Sequence, residues 1–356
     1  MQLQIIKAEE NNRRPKPPSE TEIEFGKYFA DHVFHMTYEA GRGWNSPVIE
    51  PYKTFQVDPA CLTLHYGQQI FEGMKAYVGV DGNTYLFRPL DHLNRLNKSA
   101  YRLCMPEINV DEVLEALIEL LKLDNEWIPT SKGSSLYIRP FMIATEASLG
   151  VKVSSKYLFC IMTGPAGAYY AEGFNPVKIY VTDQYSRVAR GGTGTAKTSG
   201  NYAASLLASE EAKAKGFTQV LWLDPVEHKY VEEVGTMNIF FRIGNKLVTP
   251  ELNGSILPGI TRDSVIKIAK HWNMDVEERP ISIDEVIQEI QNGNLTEIFG
   301  TGTAAIISPV GELHYKGTTY KIADGQTGEL AKKLFETILG IQYGELDDVF
   351  GWRLRI

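Results

Sequence analysis

The stretch Gly191-Gly192-Thr193-Gly194-Thr195-Ala196-Lys197-Thr198-Ser199-Gly200-Asn201-Tyr202 constrains this chain more than any other. A single lysine lies among glycines and small hydroxyl residues, directly before an Ala/Leu/Glu/Lys-rich helical pattern over 202–215. Glycine lets backbone approach a ligand closely, and a helix N-terminus attracts anions. An amine in that setting either grips a phosphate or acts as a nucleophile.

At 356 residues the chain exceeds the usual size of one hydrophobic core, so two domains are expected. A net charge of -8 argues against nucleic acid or an anionic membrane as the main partner. The segment Met1–Lys7 lacks the basic start and apolar core of a signal peptide, and no run approaches the roughly 20 apolar residues of a membrane span. Cys61, Cys104 and Cys160 lie far apart and form neither a disulfide framework nor a metal-ligand spacing. A reduced, cytoplasmic protein without a metal is expected.

Residues 11–20, rich in Pro, Arg, Asn and Lys, read as a mobile or draped arm. Met74–Val80 and Thr84–Phe87 flank the turn Asp81-Gly82-Asn83, a hairpin signal. Helical patterns follow at 89–103 and 110–125, the second with Val113, Leu114, Leu117, Ile118 and Leu121 on one stripe. Ser135–Thr145 and Lys156–Thr163 read as strands, and the glycine-bearing stretch 164–175 as an interdomain loop. The expected division is therefore 1–163, a small N-terminal domain with its arm, and 176–356, a larger domain carrying the lysine. In the second part, strands are expected at 177–182, 220–224, 237–242, 246–248, 295–300 and 303–309. Helices are expected at 202–215, 260–271, 282–292 and 327–340, with Ser282 and Glu285 as a capping box. Strands and helices mix without strict βαβ alternation, so the fold class is α+β.

Two chemistries compete for the lysine. A P-loop, G-x-x-x-x-G-K-[ST], nearly fits Gly191–Thr198, but Ala196 replaces the glycine that must wrap a phosphate, and Asp183–Ala189 separates the loop from its strand. The alternative is a lysine that forms a Schiff base, for which the amine must be partly neutral and unhindered. Pyridoxal phosphate would then need a group at its ring nitrogen, a phosphate cup and a partner for its phenolic oxygen. Glu233, at a glycine turn, could serve the nitrogen, and Tyr202 the phenolic oxygen. The helix start at Gly259-Ile260-Thr261 and the segment Gly300-Thr301-Gly302-Thr303 suit a phosphate, and Arg95 could pair with it as a charged fork.

These residues, with Phe25–His32, Leu64–Tyr77, Leu86–Pro89, Leu136–Pro140, Ala196–Tyr202, Gln219–Leu223, Glu233–Asn238, Leu252–Gly259 and Phe299–Ala305, resemble the branched-chain amino acid aminotransferases of the fold-type IV pyridoxal-phosphate class. The resemblance runs in order from residue 25 to about 343. It implies a two-domain fold-type IV architecture with pyridoxal 5'-phosphate between the domains, and reversible amino transfer between L-leucine, L-isoleucine or L-valine and 2-oxoglutarate. Lys197 would form the Schiff base and shuttle the proton, Glu233 would pair with the pyridine nitrogen, and Tyr202 with the phenolic oxygen. Arg95, Ile260, Thr261 and Thr301 would hold the phosphate. The substrate carboxylate would meet the turns at Gly235-Thr236 and Thr303-Ala304. The aliphatic side chain would lie among Phe29, Tyr66, Phe71 and Tyr137, and Tyr66 or Arg139 would reach the carboxylate of glutamate.

The partners implied are amino acids and 2-oxo acids, and a second copy in a homodimer. Ala305 and Ser308 stand where animal members carry a Cys-x-x-Cys, so no thiol switch is expected there. Glu232 neighbours the assigned carboxylate, and strand alternation turns it to the other face. D-amino acid aminotransferase and aminodeoxychorismate lyase share the fold class but fit the Glu-Val-Gly-Thr-Met-Asn turn and the Arg-Pro pair less well.

Overall fold

The computed structural model describes residues 2–167 and 174–356. Chain contacts divide it into two units. The first comprises Met1–Tyr169, Ala196–Ser199 and Gly340–Ile356, and the second Tyr170–Thr195 and Gly200–Leu339.

The first unit is built on β1 (Gln4–Ile5), β2 (His32–Glu39), β3 (Gly43–Pro51), β4 (Gln69–Phe71), β5 (Met74–Val78), β6 (Thr84–Phe87), β7 (Ser135–Ala144) and β8 (Lys156–Ala166). They form one sheet in the order β1-β3-β2-β8-β7-β5-β6, with β4 on β7, and the strand Arg353–Arg355 closes the β6 edge. Side chains alternate between buried and half-exposed along β7 because only one face meets the helices. That face packs on α2 (Pro89–Arg102) through Leu93, Leu96 and Ala100, and on α3 (Val110–Leu123). In α3 the buried stripe is Val113, Ala116, Leu117, Leu120 and Leu121. Leu114 and Ile118 of the expected stripe lie at its half-buried margins. A short helix, α1 (Leu62–Tyr66), precedes β4.

The arm is draped rather than mobile. Ala8 N–H donates to His32 Nε2 at 2.8 Å, Arg14 N–H to Asp31 Oδ1 at 2.6 Å, and Thr130 and Ser131 N–H to the Glu20 carboxylate.

The second unit has its own mixed sheet of β9 (Val177–Val181), β10 (Gln219–Leu223), β11 (Val231–Val234), β12 (Asn238–Ile243), β13 (Lys246–Thr249), β14 (Asp275–Glu278), β15 (Leu295–Gly302), β16 (Ile306–Tyr315) and β17 (Thr318–Lys321). Its order is β11-β10-β9-β16-β15-β12-β13-β14, with β17 on β16. Leu221, Ile239, Phe241, Ile298, Leu313 and Val286 make its core. The helices are α4 (Ser199–Ala203), α5 (Leu206–Ala214), α6 (Ile260–His271), α7 (Ile283–Gln291) and α8 (Glu329–Tyr343). Glu285 N–H donates to Ser282 Oγ at 3.0 Å, the first half of the expected capping box on α7.

Three expectations are revised. The pattern over 202–215 is two helices, not one: Ser205 Oγ donates to the Tyr202 carbonyl at 2.7 Å, a side-chain bond that competes with helix continuation. The proposed interdomain loop at 164–175 begins in the sheet, since Gly164–Ala166 pair with Ser135–Tyr137, and its residues 168–173 lie outside the described residues. The partition also differs from a single boundary. Ala196–Ser199 belong to the first unit because Ile70 and Thr198 form a bridge, and the C-terminal strand Arg353–Arg355, β18, returns to β6.

Candidate active site

In the first unit, Lys197 is stitched to two elements through its backbone. Its N–H donates to Ser99 Oγ at 2.9 Å, and its carbonyl accepts from Phe71 N–H at 3.0 Å. Thr198 Oγ1 donates to the Gln69 carbonyl at 2.7 Å. The lysine amine lies 4.9 Å from the centre of the Phe71 ring. Burial, and next the charge of Arg95, hold the amine down to about 8, against the opposing charge of Glu72. About a tenth of the amine is therefore neutral at pH 7, far more than for a lysine at its ordinary 10.5, and the neutral form is the nucleophile.

Arg95 stands one turn before Ser99 on α2, whose helix starts at Pro89 in the first position, where proline is tolerated. Glu72, fully buried just after β4, accepts from Arg95 Nε at 2.7 Å and Nη2 at 3.0 Å, and from His92 Nδ1 at 3.0 Å. Burial alone would raise the Glu72 carboxyl, but the Arg95 charge and the His92 and Arg95 hydrogen bonds hold it far below the usual carboxylate range. Burial lowers His92 despite its bond to Glu72, so the ring is neutral and its Nδ1–H is the donor. The network fixes the Arg95 guanidinium before any ligand arrives.

A cavity of about 200 Å³ opens in the same unit, lined by Phe25, Tyr28, Phe29, Tyr137, Arg139 and Thr163 among others. Gly164 is required in its wall: a Cβ there would sit 2.2 Å from the Tyr28 carbonyl oxygen. Arg139 Nη2 donates to Tyr137 Oη at 3.2 Å, and its guanidinium lies 4.8 Å from the Phe71 ring centre. Arg139 Nε and Thr163 Oγ1 are buried without hydrogen-bond partners, so an apolar cavity carries two polar atoms at its wall. Phe29, Tyr137 and Arg139 line this cavity, with Phe71 against Arg139. Tyr66 does not join them. It is 43% exposed, and its hydroxyl donates to the Leu149 carbonyl.

In the second unit, Glu233 is the penultimate residue of β11, just before the tight turn Gly235-Thr236, where Gly235 has φ 55°. Its buried carboxylate pairs with Arg187 and accepts from Asn238 Nδ2 at 3.2 Å. Asn238 also donates to the Leu257 carbonyl and faces Thr301 across the β12–β15 ladder. Thr301 Oγ1 is buried without a partner. Helix α6 starts at Ile260 and Thr261 behind Gly259, which gives it no side-chain cap, and a Cβ on Gly259 would meet Asn238 Oδ1 at 2.0 Å. Glu233, Asn238, Thr301 and the α6 start are therefore linked through Asn238. Thr303 and Ala304 form the turn between β15 and β16, and Tyr202 lies half-buried on α4. Glu232 is buried as well, but bonds Ser255, a partner distinct from those of Glu233.

The residues of each unit suit pyridoxal phosphate chemically: the first carries a desolvated lysine and a fixed arginine. The second carries a buried carboxylate paired with an arginine, a buried hydroxyl without a partner and a helix start without a side-chain cap. Sequence reasoning missed Glu72, His92, Ser99 and Arg187. The spacing of His92, Arg95 and Ser99, three and four apart on one helix, could have flagged the first face. Nothing in the sequence singles out Arg187 in its loop.

The model of amino-transferase class IV matches residues 69–313. Branched-chain-amino-acid aminotransferase 2 of Bacillus subtilis (strain 168) is 53% identical over 356 residues, 100% of this chain and 98% of its own. The branched-chain aminotransferase of the archaeon Thermoproteus uzoniensis, solved with norvaline, superposes with TM-score 0.75 at 27% identity, covering 90% of this chain and 99% of that one. The branched-chain amino acid aminotransferase of Thermobaculum terrenum, solved in its PLP form, gives TM-score 0.75 at 26% identity over 92% and 99%.

Proposed function

The chain belongs to the class IV aminotransferase family, among its branched-chain-amino-acid members, and from that premise we propose that it transfers the amino group of L-leucine, L-isoleucine or L-valine reversibly to 2-oxoglutarate with pyridoxal 5'-phosphate. The observation that carries the reading is Lys197, buried, tied by its backbone to Ser99 and Phe71, with its amine lowered to about 8. A surface lysine would carry a full charge at neutral pH and could not serve.

When bound, the cofactor supplies an electron sink that makes the substrate Cα proton removable. Lys197 would hold the cofactor, and its amine would move the proton at the substrate Cα. Glu233, buried and paired with Arg187, would accept from the ring nitrogen and favour its protonated form. Tyr202 would serve the phenolic oxygen. Arg95, oriented by its fork on Glu72, would supply its guanidinium charge to the phosphate, with Ile260, Thr261 and Thr301 completing the cup. Gly235-Thr236 and Thr303-Ala304 receive the substrate carboxylate.

Phe29, Phe71 and Tyr137 receive the aliphatic side chain, and Arg139 the second carboxylate of glutamate. An apolar cavity cannot separate leucine, isoleucine and valine by much more than about 1–3 kcal/mol per methylene. The chain is read as a homodimer, in which a second copy would cover the exposed Leu64, Tyr66, Leu149 and Val151. No described helix is long and apolar enough to cross a membrane, and a cytoplasmic setting is proposed.

The test is a panel of L-leucine, D-alanine and aminodeoxychorismate as substrates, with pyridoxal phosphate added. Leucine-dependent glutamate formation from 2-oxoglutarate supports the reading. Preference for either other substrate contradicts it.

A further inference from the structure

The arm does more than drape. Asn11-Asn12-Arg13-Arg14-Pro15-Lys16-Pro17-Pro18 is stiffened by prolines and pinned on both sides of Arg14. Upstream, Ala8 N–H bonds His32; at Arg14 its own N–H bonds Asp31. Flanking it, Arg13 and Lys16 pair with Glu126. Asp31 is itself held by Trp127 Nε1 at 3.0 Å. The Arg14 side chain, so positioned, lies with its guanidinium carbon 4.1 Å from the centre of the Tyr52 ring and 5.9 Å from that of Phe29. Its Nε is buried without a hydrogen-bond partner, so the group is oriented by the rings rather than by an acceptor at that nitrogen. Tyr52 and Phe29 stack with centroids 5.6 Å apart at 22°. Phe29 lines the cavity.

We propose that Arg14 is a positioning residue for substrate specificity: through Tyr52 it clamps Phe29 in the cavity wall, so the arm sets the fit of the aliphatic side chain. The inference rests on the reading of that cavity as the side-chain subsite. Without the guanidinium, the stacked pair has no cover on the arm side, and Phe29 samples further rotamers. Ligands that reach Phe29 then lose contact, and ligands too short to reach it do not. The bond-making groups are untouched, so turnover at saturation is preserved.

The experiment compares wild type, Arg14→Ala, Arg14→Lys and Tyr52→Leu as cofactor-loaded enzymes. It measures leucine KM and kcat, and inhibition by 4-methylpentanoate against propanoate, which has a carboxylate but no branched side chain. Arg14→Ala and Tyr52→Leu should raise leucine KM and the 4-methylpentanoate inhibition constant by about three- to tenfold, the ratio that a lost cation–π contact corresponds to. Propanoate inhibition and kcat should stay within about twofold, and Arg14→Lys should recover part of the loss. Equal weakening of both acids, or no change in either, overturns the inference. If wild type turns over leucine and the variants match it, the clamp fails while the assigned activity stands. If wild type does not turn over leucine, the functional reading itself fails.

Discussion

Glu72→Gln removes one charge from a network that has no solvent to replace it. Glu72 is 0% exposed and supplies both oxygens to Arg95, at 2.7 and 3.0 Å, and one of them also to His92. Glutamine keeps the shape but turns an NH2 group toward donors, leaving Arg95 buried beside a neutral amide. Breaking a buried pair by removing one partner costs about 3–5 kcal/mol, far above the roughly 0–1 kcal/mol of a solvated pair.

The assay is urea unfolding of the cofactor-free protein at neutral pH, so that ligand linkage does not contribute. Glu72→Gln should lose about 3–5 kcal/mol, and the double variant Glu72→Gln/Arg95→Leu less than the sum of its singles. Acidification gives a second reading. The folded Glu72 carboxyl titrates below its ordinary 4.5, so its stabilisation is complete above pH 4.5 and is lost as pH falls through and below that value. Wild type should therefore lose stability over that window more steeply than Glu72→Gln. A neutral-pH loss under about 1 kcal/mol would refute the argument that this pair is buried and coupled.

Two further outcomes follow from the site. Reaction of the apoprotein with pyridoxal phosphate should accelerate as pH rises through about 8, because the amine that reacts is the deprotonated one; Arg95→Leu should move that midpoint upward by removing a repelling charge, as stopped-flow absorbance would record. Gly164→Ala should displace Tyr28 from the cavity wall, costing about 1–3 kcal/mol in urea unfolding and raising leucine KM more than it lowers kcat.

Much of the fold was legible where one local signal sufficed. The Asp81-Gly82-Asn83 turn announces the β5–β6 hairpin, with Gly82 at φ 76°, and Ser282-x-x-Glu285 announces the start of α7. What escaped depends on partners distant in sequence. The three residues of β18 carry no period, and their pairing with β6 joins Arg353 to Phe87 and Arg355 to Tyr85, from opposite ends of the chain. Neither β2 nor β3 is announced, because His35, Glu39 and Glu50 interrupt the apolar pattern on one face of this pair and His32 interrupts it on the other. Lys197, Glu233 and Arg95 stood out by residue type and setting. Glu72 did not, since a glutamate ending a strand reads as solvated until Arg95, 23 residues on, is found against it. Tyr66 shows the converse: the resemblance assigns it a pocket role, yet in one chain it lies exposed beside Leu149.

The central claim is that Lys197 is the residue that carries the cofactor and the proton. Its direct test loads wild type and Lys197→Ala with pyridoxal phosphate, reduces both with borohydride, and maps the modified peptide by mass spectrometry alongside leucine–2-oxoglutarate turnover. Modification should be confined to Lys197 in wild type, and Lys197→Ala should lose both the adduct and turnover. A variant that keeps normal turnover, or a wild-type adduct on another lysine, would contradict it.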